Sequence, residues 1–249
     1  MPKAARQGSA PTAAKRASAR RGRRPSPERV AEIFRRFAAA DPEPKGELTY
    51  ANPFTLLVAV VLSAQATDAG VNRATEPLFK LADTPQKMVA LGEQGLQERI
   101  KTIGLYRNKA KNVIGLSRAI MAEHRGEVPR QREALEALPG VGRKTANVVL
   151  NTAFGEPTLA VDTHVFRVAH RLGLASGSTP LKVEMDLLKV IPERYLQHAH
   201  HWLILHGRYV CQARRPRCDA CVVCDLCMSR DKWFDGGPPK VAAQRKARQ

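Results

Sequence analysis

The residues with the clearest chemical potential are five cysteines, all of which lie between Cys211 and Cys227 of the 249-residue chain. Their spacing contains two overlapping sets of four, Cys211-x6-Cys218-x2-Cys221-x5-Cys227 and Cys218-x2-Cys221-x2-Cys224-x2-Cys227. A disulfide framework would be spread along a secreted chain, so this clustering predicts a metal site in a reducing compartment. Four thiolates suit either one tetrahedral metal ion, typically zinc, or a [4Fe–4S] cluster, and the spacing alone leaves both open.

A second candidate site is the segment Leu138-Pro139-Gly140-Val141-Gly142-Arg143-Lys144-Thr145, which lies between two stretches with helical apolar spacing. Gly140 and Gly142 permit a tight turn, and Val141 between them can pack into the core. The backbone N–H groups of the turn and of the next helix start would then face outward and form a phosphate-binding site without charged side chains. An ordinary turn between two helices is the alternative that a Gly-x-Gly pattern alone leaves open.

Lys144 follows this turn, and Asp162 lies 18 residues further on in Val161-Asp162-Thr163-His164. Lys144 would lie beside a helix N-terminus and a second cation, Arg143. Both surroundings lower the pKa of an amine from its usual value of about 10.4, and a neutral amine is nucleophilic. A nearby carboxylate can move a proton or stabilise positive charge. Taken singly, each residue also fits a plainer role: Lys144 as a phosphate contact, and Asp162 or Thr163 as a helix cap.

Together these motifs resemble the helix-hairpin-helix DNA glycosylases and, within them, the endonuclease III family. The similarity covers roughly residues 28–230. It implies that Lys144 is the nucleophile and that Asp162 assists it. It also implies that a [4Fe–4S] cluster is held by Cys211, Cys218, Cys221 and Cys227. Cys224 departs from the family pattern and is expected to be a spare thiol.

The resemblance implies a bifunctional DNA glycosylase and abasic-site lyase that removes oxidised pyrimidines from duplex DNA in base-excision repair. In that chemistry a neutral lysine displaces the damaged base at C1′, and the resulting Schiff base acidifies C2′ so that the 3′ phosphate is eliminated. Adenine-mismatch glycosylases share the architecture but usually lack the lysine and carry a further C-terminal domain. This sequence has Lys144 and ends 22 residues after Cys227, and both features favour the bifunctional class over the adenine-mismatch glycosylases.

The same resemblance assigns DNA contacts to two loops and to the hairpin. A base that undergoes chemistry must leave the duplex, and something must fill the gap. The family places a glutamine at the Gln65 position as the plug, and Leu105 is a candidate wedge. Without the resemblance, Gln65 would be interpreted as a surface residue and Leu105 as a core residue. The remaining DNA-binding candidates are Gly140, Val141, Gly142 and Arg143.

The charge balance indicates a polyanionic partner. The 41 Lys and Arg residues exceed the 23 Asp and Glu residues, which gives a formal net charge of +18. Residues 1–27 hold eight of these positive charges and no acidic residue, residues 238–249 hold four, and the intervening body keeps the other six. A basic body favours nucleic acid as the partner. We expect a monomer that binds double-stranded DNA with damaged or abasic sites.

Nothing in the sequence indicates a membrane or a secretory destination. There is no run of 18 apolar residues and no signal-peptide core, so we expect a cytoplasmic protein, associated with the nucleoid if bacterial. Residues 1–29 lack Leu, Ile, Val, Phe, Trp and Tyr, which predicts a disordered basic arm. A nuclear signal in Lys15–Arg24 and a mitochondrial transit peptide are the alternatives for this arm.

The elements that position these residues are predicted to be about ten short helices in an all-α fold. Four helix starts are marked by a capping residue followed by proline: Ser26-Pro27, Asn52-Pro53, Thr84-Pro85 and Thr179-Pro180. Apolar residues recur at helical spacing in Val113, Leu116 and Ile120, and again in Leu181, Met185, Leu188 and Ile191.

We expect these helices to form two lobes. Residues 46–156 would carry the helix-hairpin-helix motif, at about 132–151, and residues 28–45 would join 157–230 in a second lobe with the iron–sulfur cluster loop. Residues 1–27 and 231–249 would be a disordered basic arm and tail. The active site would lie in the cleft, with Lys144 from one lobe and Asp162 from the other.

Two other function classes fit parts of the pattern. A non-catalytic DNA-binding module with a structural metal site would use the hairpin and the cysteines but would need neither Lys144 nor Asp162. A redox sensor would need only the cysteines.

Overall fold

The computed structural model describes residues 25–234, and this part of the chain is helical. Its ten helices are α1 Pro27–Ala40, α2 Pro53–Leu62, α3 Asp68–Leu81, α4 Pro85–Ile100, α5 Tyr106–Glu123, α6 Arg132–Ala137, α7 Arg143–Phe154, α8 Thr163–Leu172, α9 Pro180–Val190 and α10 Glu193–Tyr209. No β-strand forms between residues 25 and 234, so the all-α prediction is confirmed. None of these ten helices combines the length and the hydropathy needed to cross a membrane. The predicted arm and most of the predicted tail, residues 1–24 and 235–249, lie outside the described residues.

The helix starts follow the capping signals in the sequence. Ser26, Asn52, Thr84 and Thr179 each accept a side-chain hydrogen bond from a first-turn backbone N–H, and proline follows each of them. Asn52 and Thr55 form a reciprocal capping box at the start of α2. These bonds satisfy N–H groups that have no partner inside the helix, which explains why the helices begin at these residues.

The helices bury two separate apolar cores. One core is built from α2 to α7 and contains side chains from Phe54 to Leu150. The other is built from α1, α8, α9 and α10, and it also takes in Val223 of the cysteine loop. The chain therefore passes from the first core to the second between α7 and α8. The exact lobe boundaries at residues 45 and 156 stay a prediction.

The segment that crosses between the cores, residues 155–162, is fixed from both sides. The Asn147 side chain on α7 donates a hydrogen bond to the carbonyl of Leu159 at 3.2 Å. From the opposite side, His200 Nδ1 on α10 contacts the carbonyl of Ala160 at 2.9 Å. An extended segment needs partners for its carbonyl groups, and these side chains supply them.

Helix α9 forms where the helical spacing of Leu181, Met185, Leu188 and Ile191 predicted a helix. Only Ile191 is buried, and the other three side chains are exposed. The helix instead buries Val183, Glu184 and Leu187. Apolar residues occur on most sides of α9, so the periodicity predicts the helix but does not identify its buried face.

The first residues of the predicted tail pack onto the cysteine loop. The backbone N–H of Trp233 contacts Cys218 Sγ at 3.3 Å, and the Trp233 carbonyl accepts a hydrogen bond from the Cys218 N–H at 3.2 Å. The guanidinium of Arg215 lies 5.6 Å from the centre of the indole ring. The first residues of the predicted tail therefore contact the cysteine segment, and the boundary of the tail at residue 231 stays a prediction.

Candidate active site

The predicted hairpin is a tight turn between α6 and α7. Gly140 has a φ of 76°, and a Cβ atom at this position would lie 2.8 Å from the Cβ of Asn112, so only glycine fits here. Val141 is buried in the first core, as expected for a residue that packs under the turn. Helix α7 begins without a capping side chain, and its first backbone N–H groups bond to no described residue. The start of α7 therefore presents free donors and the positive end of the helix dipole.

Lys144 lies in the first turn of α7, and its side chain is exposed in a cleft. Helices α2 and α7 of the first core form one wall of this cleft, and α10 of the second core forms the other. Residues 46–50, in the loop before α2, also line it. The hairpin thus places an amine in a cleft at the boundary between the two cores.

Asp162 is the N-cap of α8. Its Oδ1 accepts hydrogen bonds from the backbone N–H groups of His164 and Val165, at 2.9 and 2.8 Å. No described group donates a hydrogen bond to its Oδ2. The capping role that the sequence offered as the plainer interpretation is therefore present. One carboxylate oxygen remains available for a second role.

His200 is close enough to both residues predicted to be catalytic to feel their charges. It lines the cleft beside Lys144, and its ring is bonded to the carbonyl of Ala160, two residues before Asp162. Burial lowers the pKa of His200 to about 4, the neighbouring His201 lowers it as well, and the charges of Asp162 and Lys144 act on it in opposite directions. The imidazole is therefore neutral at pH 7, with Nδ1 carrying the proton that it donates to the carbonyl.

Arg143 has a partner inside the protein. Its Nε and Nη2 donate hydrogen bonds to the two carboxylate oxygens of Glu184 on α9, at 2.9 and 2.8 Å. The Glu184 side chain is 5% exposed, and this pair raises the pKa of Arg143. The pair joins the first core to the second. The charge of Arg143, the second cation predicted beside Lys144, is therefore compensated by a buried carboxylate.

Arg208 on α10 makes a second link between the cores. Its guanidinium contacts Glu47 in the loop before α2 and Asp68 at the start of α3. The hydroxyl of Tyr209 also contacts Glu47. The two carboxylates on this side of the cleft are consequently already paired with a cation.

Sequence reasoning missed His200, Glu184 and Arg208. The only signal for His200 was a cluster of three histidines within residues 198–201. Glu184 gave no signal, since a carboxylate four residues after a helix-starting proline is usually on a solvated face. Each of the three residues bonds to a partner more than 35 positions away in the chain. A local sequence pattern cannot indicate contacts at such separations.

Gln65 and Leu105 share an unusual backbone conformation. Their φ angles are 54° and 60°, and Arg125 is the one other non-glycine residue between positions 25 and 234 with a positive φ. Gln65 is exposed, and Leu105 is 61% exposed just before α5. An apolar side chain held in water by a strained backbone is not a core residue, so that alternative for Leu105 was wrong.

The cysteine loop places all five thiols around one pocket of about 360 Å³ next to α8 and α10. Polar groups contact four of the sulfurs: Arg171 Nη1 to Cys211 at 3.5 Å, Trp233 N–H to Cys218 at 3.3 Å, His206 Nε2 to Cys221 at 3.5 Å, and the Arg171 carbonyl to Cys227 at 3.3 Å. No described group makes such a contact with the Cys224 sulfur. Burial raises the pKa of the Cys221 thiol to about 12.

The chemistry of this pocket fits an anionic group held by thiolates. Arg171, Arg217 and Lys232 line it, and they can compensate the charge of buried thiolates. Thiolates that share one zinc ion would lie within about 4 Å of one another, given a Zn–S distance near 2.3 Å. No three His, Cys, Asp or Glu side chains in the described range are placed to share a single metal ion. The side chains in the described range therefore form no ready-made ligand set, either for a zinc ion or for a cluster.

Comparisons with known proteins connect these features. Residues 58–193 match the family described as HhH-GPD superfamily base excision DNA repair protein. Endonuclease III of Haemophilus influenzae is 59% identical over 201 residues, which are 81% of this chain and 95% of that protein. Endonuclease III of Escherichia coli K12 is 56% identical over 201 residues, with the same coverage of both chains.

Two solved structures share the fold. A trapped covalent intermediate of an endonuclease III with DNA has a TM-score of 0.77 and 45% identity, and the match covers 82% of this chain and 96% of that one. A non-covalent endonuclease III–DNA complex has a TM-score of 0.77 and 46% identity, with the same coverage. The chain belongs to the endonuclease III family of the HhH-GPD superfamily. Its activity is that of a base-excision repair DNA glycosylase and lyase, as the motifs predicted.

Proposed function

We propose that this protein removes oxidised pyrimidines from duplex DNA and then cleaves the strand on the 3′ side of the abasic site. The observation that carries the proposal is the position of Lys144 on the hairpin helix, exposed in the cleft between the two cores. A lysine that only contacted phosphates would have no need to lie in a cleft between the two cores. The covalent endonuclease III–DNA intermediate supports the same chemistry, because a related protein forms a bond to DNA.

Lys144 is the nucleophile in this proposal. Its neutral amine forms a bond to C1′ of the damaged nucleotide, and the base leaves with the electrons of the C1′–N bond and takes up a proton. The C1′–O4′ bond then opens, which gives a Schiff base between Nζ and C1′. Loss of a proton from C2′ expels the 3′ phosphate with its bonding electrons and cuts the strand.

Asp162 assists through the oxygen that the helix cap leaves free. Oδ2 can stabilise the positive charge that develops on the sugar and can accept a proton from the attacking amine. Oδ1 meanwhile keeps the start of α8 in place. His200 supports this arrangement from α10, since it fixes the segment that leads into Asp162.

The hairpin and two loops hold the duplex. Backbone N–H groups at Gly140, at Gly142 and in the first turn of α7 bind phosphate, and the buried Val141 supports the turn from below. Gln65 fills the gap left by the extrahelical base, and Leu105 enters the stack as a wedge. Both loops already have the exposed, left-handed conformation that presents these side chains.

The cysteine pocket is proposed to hold a [4Fe–4S] cluster on Cys211, Cys218, Cys221 and Cys227, with Cys224 as a spare thiol. Donors that contact the sulfurs of Cys211 and Cys218, and a ring nitrogen beside Cys221, can stabilise thiolates at these three positions and support this assignment. Cys227, whose thiol donates to the Arg171 carbonyl, and the exclusion of Cys224 rest on the spacing of the family. When bound, the cluster supplies a covalent cross-link. The cross-link would fix the loop between α10 and Phe234, including its arginines, near the DNA-binding side.

The proposed partner is double-stranded DNA with damaged or abasic sites, bound by a monomer. The charge of +18 supports a polyanionic partner. The curated relatives are bacterial proteins, which supports a location at the nucleoid of a bacterial cell.

Borohydride trapping tests the proposal. The protein is incubated with duplex DNA that carries one oxidised pyrimidine, and the Schiff base is reduced to a stable adduct. We expect an adduct with the unsubstituted protein and with Lys182→Gln, an exposed lysine on α9 that serves as the control. Lys144→Gln should give no adduct and no strand cleavage while it still binds the duplex. Normal trapping by Lys144→Gln would refute the nucleophile assignment, and binding without trapping by the unsubstituted protein would indicate a DNA-binding module.

A further inference from the structure

Cys224 lies in the same run of turns as three of the proposed cluster ligands. The backbone N–H groups of Cys221, Cys224 and Cys227 each donate a hydrogen bond to the carbonyl of the cysteine three residues earlier, at 3.4, 3.1 and 3.2 Å. Side chains three residues apart in such turns eclipse one another. The cysteines at 218, 221, 224 and 227 are therefore on one side of the run, and all four line the pocket that Cys211 also lines.

The Cys224 thiol is near the other thiols but is held by none of their partners. Burial raises the pKa of this thiol, and Cys218 and Cys227 lie close enough for their charges to raise it further. Polar groups contact the sulfurs of the other four cysteines. Between positions 25 and 234, no group makes a hydrogen bond to the Cys224 sulfur, so this side chain can turn within the pocket.

The chain around Cys227 has anchors other than its own side chain. The Cys227 thiol donates a hydrogen bond to a backbone carbonyl of α8 at 3.3 Å, which a thiolate could not do. Asp225 accepts hydrogen bonds from Arg36 on α1 at 2.6 and 3.1 Å, and the backbone of Trp233 is bonded to Cys218. Loss of a bond from Cys227 to iron would therefore leave this segment attached to the second core.

We propose that Cys224 is a reserve ligand of the cluster, which replaces Cys227 when that residue no longer binds iron. The inference rests on the proposed function, because it assumes that the pocket holds a [4Fe–4S] cluster. Only the last ligand would change, and its replacement comes from the same side of the same run, one turn earlier. Cys211 has no such substitute, because it lies outside the run, at the end of α10.

The exchange is a substitution at one iron atom and transfers no electrons to or from the cluster. The S–H bond of Cys224 breaks, its proton passes to water, and the thiolate sulfur forms a bond to iron with its own electron pair. The Cys227 sulfur leaves with the electrons of its Fe–S bond and takes up a proton from water. Lys232 can compensate the new thiolate, since its ammonium donates a hydrogen bond to the Cys224 carbonyl at 2.8 Å.

Iron analysis combined with thiol alkylation tests the inference. Iron content and absorbance at about 400 nm measure the cluster, and mass spectrometry after iodoacetamide treatment of the folded protein identifies the free cysteines. We expect the unsubstituted protein to be alkylated at Cys224 alone. Cys227→Ser should keep most of its iron, and Cys224 should then be protected because it is bound. Cys224→Ser is the matched control and should keep its iron, whereas the variant with both substitutions should lose it.

The outcomes separate this inference from the proposed cofactor. Iron loss or insolubility in Cys227→Ser, with normal iron in Cys224→Ser, would overturn the inference because no replacement takes place. Alkylation of Cys224 in a Cys227→Ser protein that retains iron would also overturn it, since the cluster would then be held without Cys224. Iron loss in Cys224→Ser would make this residue a primary ligand and not a reserve. An unsubstituted protein without iron would instead overturn the proposed cofactor, and the inference with it.

Discussion

The ion pair between Arg143 and Glu184 should be a major contributor to the stability of the junction between the two cores. Removing one partner of a buried pair typically costs about 3–5 kcal/mol, and a hydrogen bond to a charged group is worth about 1.5–3 kcal/mol. The Glu184 side chain is 5% exposed but Arg143 is 40% exposed, so water replaces part of what is lost. We therefore expect Arg143→Ala to lower the free energy of unfolding by about 2–3 kcal/mol. For a domain of this size that corresponds to a fall in Tm of roughly 4–12 °C.

A double-mutant cycle measures this pair directly. Urea unfolding of Arg143→Met, Glu184→Leu and the double variant should give a coupling energy of at least about 1 kcal/mol. The double variant should be more stable than Arg143→Met alone, because it leaves no unpaired carboxylate in the interior. Glu136, which lies 3.9 Å from Arg143 on the surface, provides the control: Glu136→Ala should change stability by less than about 0.5 kcal/mol. A coupling energy below about 0.3 kcal/mol would refute the role of this pair in joining the cores.

Three other predictions follow from the site. Burial lowers the pKa of His200 to about 4, so the folded protein does not bind a proton there near pH 6.5, whereas the unfolded chain does. This difference should lower the free energy of unfolding by about 2 kcal/mol between pH 7 and pH 5. An equal fall in the His200→Gln variant would contradict this prediction. Gly140→Ala should cost about 2–4 kcal/mol through its positive φ and a 2.8 Å clash, whereas Gly142→Ala, with nothing within 4 Å, should be nearly neutral. Iron content and absorbance at about 400 nm should persist in Cys224→Ser and be lost in Cys211→Ser. The reverse pattern would show that the compact set of Cys218, Cys221, Cys224 and Cys227 binds the cluster.

Much of the fold could be predicted because its signals are local. A capping side chain followed by proline satisfies the first N–H groups of a helix from residues next to each other in the chain, and all four such pairs begin helices. The buried Val141 and the turn at Gly140 follow in the same way from a pattern five residues long. The fold class and the position of Lys144 on a helix start were therefore predicted correctly.

The rest depends on contacts between distant segments. The buried face of α9 is set by what packs against it, and Val183 and Leu187 are as apolar as the exposed Met185. The partner of Arg143 lies 41 positions away in the chain, so the residue resembled a free cation in the sequence. Charge compensation of this kind is a tertiary property, and single-sequence patterns carry no information about it.

The left-handed backbone at Gln65 and Leu105 has a consequence for how damage is found. A non-glycine residue in this conformation costs about 1–2 kcal/mol, and in this protein the fold bears that cost before any DNA arrives. A repair protein must test on the order of 10⁶–10⁹ undamaged positions for each target. A loop that had to distort at every position would slow each trial, by about tenfold for every 1.4 kcal/mol. If Gln65 and Leu105 enter the duplex as proposed, loops shaped in advance spare the search this cost, and its speed would depend on how weakly a damaged base pair resists opening.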